Sequence, residues 1–237
     1  MFDWFMGEEA RIAKRQRLLT DKAQPADERE SVTEWLVSNG TPKAVVALLT
    51  RFDMTLEHQI LDQKEKDRVY QHLVELGTDK VGRAVRAHLK RCRQVTFPLR
   101  LLEQLDGAGV AMDFVLDLLV VEAQRRDFKA ERKFDLLTWL ADRKDSRALA
   151  AAAEHIGDFD EGVRCASVGA ILGQGDARGR EVLEARLVDA SEDSNRLKVR
   201  VATAFAQRRW KVGDVDRVAA SLPPGFVVRE GVVVQTG

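Results

Sequence analysis

The chain has 237 residues, 45% of them hydrophobic and 32% charged, with 6% aromatic residues and five prolines. That balance suits packed helices with solvated outer faces and excludes a mainly disordered chain. The 38 basic and 38 acidic residues cancel, so no global field draws the chain to nucleic acid or anionic lipid, and any charged partner must be recognised locally.

Residues 8–22 place Arg11, Lys14, Arg15 and Arg17 among Ile12, Leu18 and Leu19, which predicts a basic amphipathic helix ended by Gln24-Pro25-Ala26-Asp27. Before it, Phe2, Trp4, Phe5 and Met6 are interrupted by Asp3 and too short for a signal-peptide core. They read as a cover for the first repeat, the other reading being a segment that inserts into a membrane surface. A first helical hairpin follows, with Val32, Trp35 and Leu36 on one helix, Asn39-Gly40-Thr41-Pro42 as the turn, and Val45, Val46, Leu48 and Leu49 on its partner. Gly40 suits a left-handed C-cap, and Thr41-Pro42 suits an N-cap followed by proline at N1.

The same grammar recurs. Val69, His72, Leu73 and Leu76 end at Gly77, after which Thr78 or Asp79 is the expected cap of a helix reaching about Arg93. Leu99, Leu102 and Leu105 precede the turn Asp106-Gly107-Ala108-Gly109, and the helix from Ala111 to Arg126 is apolar enough for a central position. A fourth pair runs from Phe134, Leu137, Trp139 and Leu140 through Asp142-Arg143-Lys144-Asp145 to Ala148 and His155. A helix-turn-helix unit every 30 to 37 residues is the signature of stacked hairpins, none of which can bury its apolar stripe alone.

Residues 158–210 carry a family resemblance. Val163-Arg164, Ala166, Leu172-Gly173 and Asp176 fall in the order seen in HEAT repeats, and a second unit keeps Val199-Arg200, Ala202 and Ala204-Phe205, with Ser194 where an acid is usual. The segment Asp160 to Asp176 resembles a bacterial HEAT unit of the bilin-lyase type. This resemblance implies that the Val-Arg pair docks one repeat on the next, its arginine reaching an acid in a neighbour's turn. The expected fold is all-α, a HEAT-like α-α superhelix of about six hairpins forming one domain, with residues 1–26 as a lead-in, 27–222 as repeats and 223–237 as a tail. In that tail Leu222-Pro223-Pro224-Gly225 stops the last helix, and Phe226-Val227-Val228 pairs with Val232-Val233-Val234 across Arg229-Glu230-Gly231 as a short C-terminal β-hairpin, either a cap or a docking strand.

The sharpest local charge feature is Arg83, Arg86, Lys90 and Arg93, which recur at helical intervals opposite the stripe Val81, Val85, Leu89 and Cys92. These four cations are the expected partner-binding residues, while Glu57, Asp62, Glu65, Asp67 and Glu75 are the acids that would neutralise them. His58, His72, His88 and His155 lack the spacing of a zinc motif, and Asp158-Phe159-Asp160-Glu161 suits a helix N-terminus better than a calcium loop. The stretch Gly169 to Gly175 lacks the features of a phosphate loop and reads as an inter-helix turn. Ser167 and Cys165 have no activating elbow. No catalytic group, metal or cofactor is expected.

Cys92 and Cys165, far apart and in apolar helical patterns, predict reduced buried thiols, and no run reaches transmembrane length. The sequence thus points to a non-catalytic cytoplasmic scaffold or assembly adaptor whose concave groove binds an acidic or amphipathic segment of another protein. The alternative is a nucleic-acid binder, including a base-repair enzyme like the HEAT-like DNA glycosylases, for which Trp139 near Asp142 would be the first residues to inspect.

Overall fold

Turn chemistry sets the helix ends. In the computed structural model, which describes residues 7–124 and 130–236, the first hairpin consists of α2 (Ala26–Asn39) and α3 (Pro42–Leu49), preceded by α1 (Glu8–Leu19). Gly40 adopts φ 58°, ψ 8°, the left-handed cap that side-chain-bearing residues resist, and the Thr41 hydroxyl accepts the Ala44 N–H at the start of α3. A 3-10 turn at Thr50–Asp53 leads to α4 (Gln59–Leu76) and α5 (Thr78–Leu89), then α6 (Thr96–Asp106) and α7 (Ala108–Gln124). The chain continues through α8 (Ala130–Ala141), α9 (Ala148–Ala153), α10 (Glu161–Gln174), α11 (Arg178–Leu187), α12 (Asn195–Arg208) and α13 (Val215–Ser221) to strands β1 (Phe226–Arg229) and β2 (Val232–Gln235). None of the described helices is long and apolar enough to cross a membrane.

The chain divides into two compact units, Met1–Asp113 and Phe114–Gly237. In the first, α2 lies against α3 and α4 against α5, while α4 also contacts α2 and α6, and α5 contacts α3 and α6. Helices α2 and α4 thus touch their hairpin partners and the first helix of the next hairpin, and α3 and α5 meet across the same boundary. Helix α1 covers α2 and α3 with Ile12 and Leu19 buried. Leu36, Leu48, Leu73, Val85 and Leu99 form the apolar interior that this arrangement removes from water.

In the second unit α10 is central, contacting α8, α9, α11 and α12, and α11 in turn contacts α12 and α13. Leu137, Val163, Val168, Ile171, Val201 and Phe205 are buried there. Gly169 and Gly173 lie inside α10, so the expected glycine-rich turn reduces to Gly175 at φ 70°. Gly173 answers to packing instead: a Cβ there would sit 2.1 Å from the Ala141 carbonyl oxygen, so only glycine lets α10 approach the end of α8 this closely. Helix α7 buries Ala111, Val115, Leu118 and Leu119 while Val120 and Val121 are exposed.

The C-terminal strands pair antiparallel from Phe226↔Gln235 to Arg229↔Val232. Their two-residue turn places Glu230 and Gly231 at positive φ, the combination that matches strand twist. β2 rests on α12 and β1 on α13, with Val233 fully buried, and the Val212 N–H donates to the Gly231 carbonyl at 2.9 Å. The ribbon gains from the helices the apolar support that two strands alone lack.

Candidate functional site

Helix α5 is amphipathic for the reason the sequence suggests. Val81, Val85 and Leu89 recur every four residues and are buried, as is Cys92 just beyond. The opposite flank carries the cations. The helix ends earlier than expected, however, because the Arg91 and Cys92 amides both donate to the His88 carbonyl, at 3.0 and 2.8 Å, and close a tight turn. Arg83 and Arg86 therefore stand on the helix, Lys90 holds its C-cap position, and Arg93 lies in the following loop. The four do not form one continuous helical ladder. The N-terminus differs too: Gly77 occupies the cap position, and the Thr78 hydroxyl donates to the Leu105 carbonyl at 2.9 Å instead of capping α5.

Charge pairing divides the four further. Arg86 meets Asp106 at 2.5 Å, and the Arg93 amide donates to Asp53 Oδ1 at 3.2 Å. Arg83 and Lys90 are exposed and have no ion-pair partner among the described residues. The acids expected to neutralise them are mostly engaged elsewhere. Asp62 bonds Arg51 at 2.8 Å and Lys66 at 2.7 Å, Glu65 bonds Arg29 at 2.7 Å and Arg51 at 3.1 Å, Asp67 pairs with Arg100, and Glu75 faces His72. Burial pushes the Asp62 carboxyl up, but hydrogen bonds from Lys66 and Arg51 outweigh it and hold it below its ordinary value.

At the foot of α5 the fold assembles a cluster that sequence spacing did not expose. Asp53, at the end of the 3-10 turn, approaches His88 and Cys92, and one donor atom from each lies within 4.8 Å of the others. Asp53 Oδ2 is 3.4 Å from His88 Nε2. His88 and Cys92, four residues apart, were visible as a pair in the sequence, whereas Asp53 joins them only through the packing of α3 on α5. A thiol, an imidazole and a carboxylate are the components of nucleophilic catalysis. Here His88 is 2% and Cys92 4% exposed, which leaves no approach for an external substrate. The cluster suits holding an ion or joining elements better than attacking a substrate.

The remaining candidates have structural positions. Arg15 stacks over Trp35 and Arg143 over Trp139, each 3.8 Å from the ring centroid, so one face of each ring is already covered. Asp160 caps α10 by accepting the Val163 N–H at 2.9 Å, and Asp158 pairs with buried Lys133 at 2.8 Å. Cys165 is a buried thiol whose pKa burial raises, and neither it nor Cys92 is in a disulfide. Phe2, Trp4, Phe5 and Met6 lie outside the described residues, as does Arg126.

Arg164 reaches the loop before α12, donating to Glu192 at 3.1 Å and Asp193 at 3.2 Å. In the next hairpin the N-cap is Ser194, which accepts the Leu197 N–H at 3.0 Å as Asp160 accepts that of Val163. Aligning these caps sets Leu197-Lys198, not Val199-Arg200, opposite Val163-Arg164. Val199 and Arg200 are indeed exposed.

Comparison of the chain with protein-family models, curated proteins and solved structures returned no match.

Proposed function

We propose that this chain is a HEAT-like helical scaffold that binds an acidic segment of another protein along the exposed flank of α5, without catalysing a reaction. The observation that carries the reading is the pair Arg83 and Lys90, exposed and without ion-pair partners among the described residues, while Asp62, Glu65 and Asp67 are engaged by other cations. Solvent-facing guanidinium and ammonium groups on a rigid helix form charge-assisted hydrogen bonds with carboxylates and speed encounter with an acidic partner. The contacts of α2 with α4 and α3 with α5 in the first unit, and of α10 with α8 and α12 in the second, support stacked hairpins, an architecture that offers extended surface for recognition.

The test is affinity capture with the wild type and with R83E/K90E, a variant that leaves the Arg86–Asp106 pair intact. Partners retained by the wild type should be lost by the variant, and identical sets from both would remove this flank as the site. A gel shift on duplex DNA at low salt belongs beside it. A salt-sensitive shift abolished in R83E/K90E would replace the protein partner with nucleic acid.

A further inference from the structure

We infer that Asp53, His88 and Cys92 form a binding site for a zinc-class divalent ion that fastens the first helical hairpin of the chain to the second. The three donors are the carboxylate, imidazole and thiol that a borderline-soft ion accepts together, whereas magnesium and calcium call for oxygen alone. A tetrahedral zinc shell holds its ligand atoms about 3.3 to 3.5 Å apart, given bonds of roughly 2.0 Å to nitrogen and oxygen and 2.3 Å to sulfur. The Asp53–His88 separation is 3.4 Å, and the whole trio lies within 4.8 Å.

The surroundings orient the donors. The Arg93 amide holds Asp53 Oδ1, which turns Oδ2 toward His88, the kind of supporting contact that fixes a ligating carboxylate. His88 and Cys92 sit in the interior beside Leu89, and Cys92 Sγ lies 3.9 Å from the Leu89 carbonyl. The Asp53 side chain is 32% exposed and provides the path by which an ion enters and a water completes the fourth position. On binding, the sulfur–hydrogen bond gives way to a sulfur–metal bond and the proton leaves to solvent. The ligands come from both sides of the α3–α5 contact, so the ion's binding energy would add to the stability of that junction. This site is separate from the exposed flank of α5, and its outcome does not depend on that flank binding a partner.

The experiment titrates zinc into the reduced, metal-free full chain against a chromophoric chelator, follows thermal unfolding with and without zinc, and records the cobalt(II) absorption spectrum. The site predicts stoichiometric zinc, a higher unfolding midpoint with zinc, and a thiolate-to-cobalt charge-transfer band. C92S removes that band, and D53N, at the most exposed ligand, weakens zinc binding by at least about tenfold while keeping the fold. Failure of the wild type to bind zinc more tightly than C92S overturns the site. So does a cobalt spectrum without thiolate character, or an affinity that D53N leaves unchanged.

Discussion

Two hairpin junctions, one in each unit, bury an arginine among acids, but with the roles reversed. In the first unit the connector supplies the arginine. Arg51, fully buried in the 3-10 turn, donates to Asp62 and Glu65 on α4 and to the Met54 carbonyl. In the second unit the helix supplies it. Arg164 on α10 reaches Glu192 and Asp193 in the connector before α12 and also donates to the Asp158 and Phe159 carbonyls. The difference teaches that joining one hairpin to the next needs opposite charges across the connector, on either side, rather than one fixed motif. A buried pair is favourable only when its remaining polar atoms are satisfied. Each nitrogen of Arg51 has an acceptor, whereas Arg164 is held by backbone carbonyls and acids at its two terminal nitrogens and leaves its buried Nε without one among the described residues.

The comparison is broken most severely by removing the arginines. R51M takes a fully buried cation from two acids at once, buried Asp62, which keeps Lys66, and half-buried Glu65, which keeps Arg29, and should cost about 3–5 kcal/mol in urea denaturation. R164M should cost less, about 1–3 kcal/mol, because Glu192 keeps Arg186 at 2.5 Å and the Ser194 amide at 2.8 Å, while Asp193 is open to solvent. Equal losses would show that the two junctions do not differ as described. The second unit also depends on the close approach at Gly173. G173A should lose about 1–3 kcal/mol by forcing α10 away from Ala141.

Acid sharpens the comparison. At Glu192 burial raises the carboxyl pKa, but the Ser194 amide, Arg186 and Arg164 outweigh it, so like Asp62 it lies below its ordinary value. A depressed carboxyl contributes stability above its unfolded value and loses it as pH falls through the folded one. Both junctions should therefore weaken together below the ordinary values of 3.8 for Asp and 4.5 for Glu. His155 adds an earlier loss in the second unit. Burial holds its pKa below 6.5, and its Nε2–H donates to the Leu119 carbonyl at 3.1 Å. Protonation then favours the unfolded chain, so this contribution is complete above pH 6.5 and declines below it. Denaturation of wild type and H155Q from pH 7 to 5 checks the sign: the wild type should lose stability over that range and the variant should lose less. The smallest effect is expected in α7, where a Cβ on Gly109 would meet nothing within 4 Å, and G109A should gain about 0.4–1 kcal/mol.

The sequence made the helices and their turns legible because Gly40, Thr41-Pro42, Gly175 and the valine-rich tail act locally, through φ, capping and alternation. Charge pairing was less legible. Nothing in the spacing of Asp62, Glu65 and Asp67 shows that they face Arg51, Arg29 and Arg100 rather than α5, since those meetings depend on how hairpins pack. The arginine–acid junction was readable at Arg164, where the helix carries the arginine, and hidden at Arg51, where the connector does. The Asp53–His88–Cys92 cluster lay beyond reach for the same reason, with two members four residues apart and the third brought in by tertiary structure.

The most direct measurement is a fluorescence-anisotropy titration of a labelled polyglutamate peptide with wild type and R83E/K90E at low salt. If the exposed flank of α5 recognises acidic segments, reversing these two charges weakens the Kd by about tenfold or more, and added salt weakens wild-type binding toward the variant's level. Superimposable isotherms for the two proteins would contradict that account.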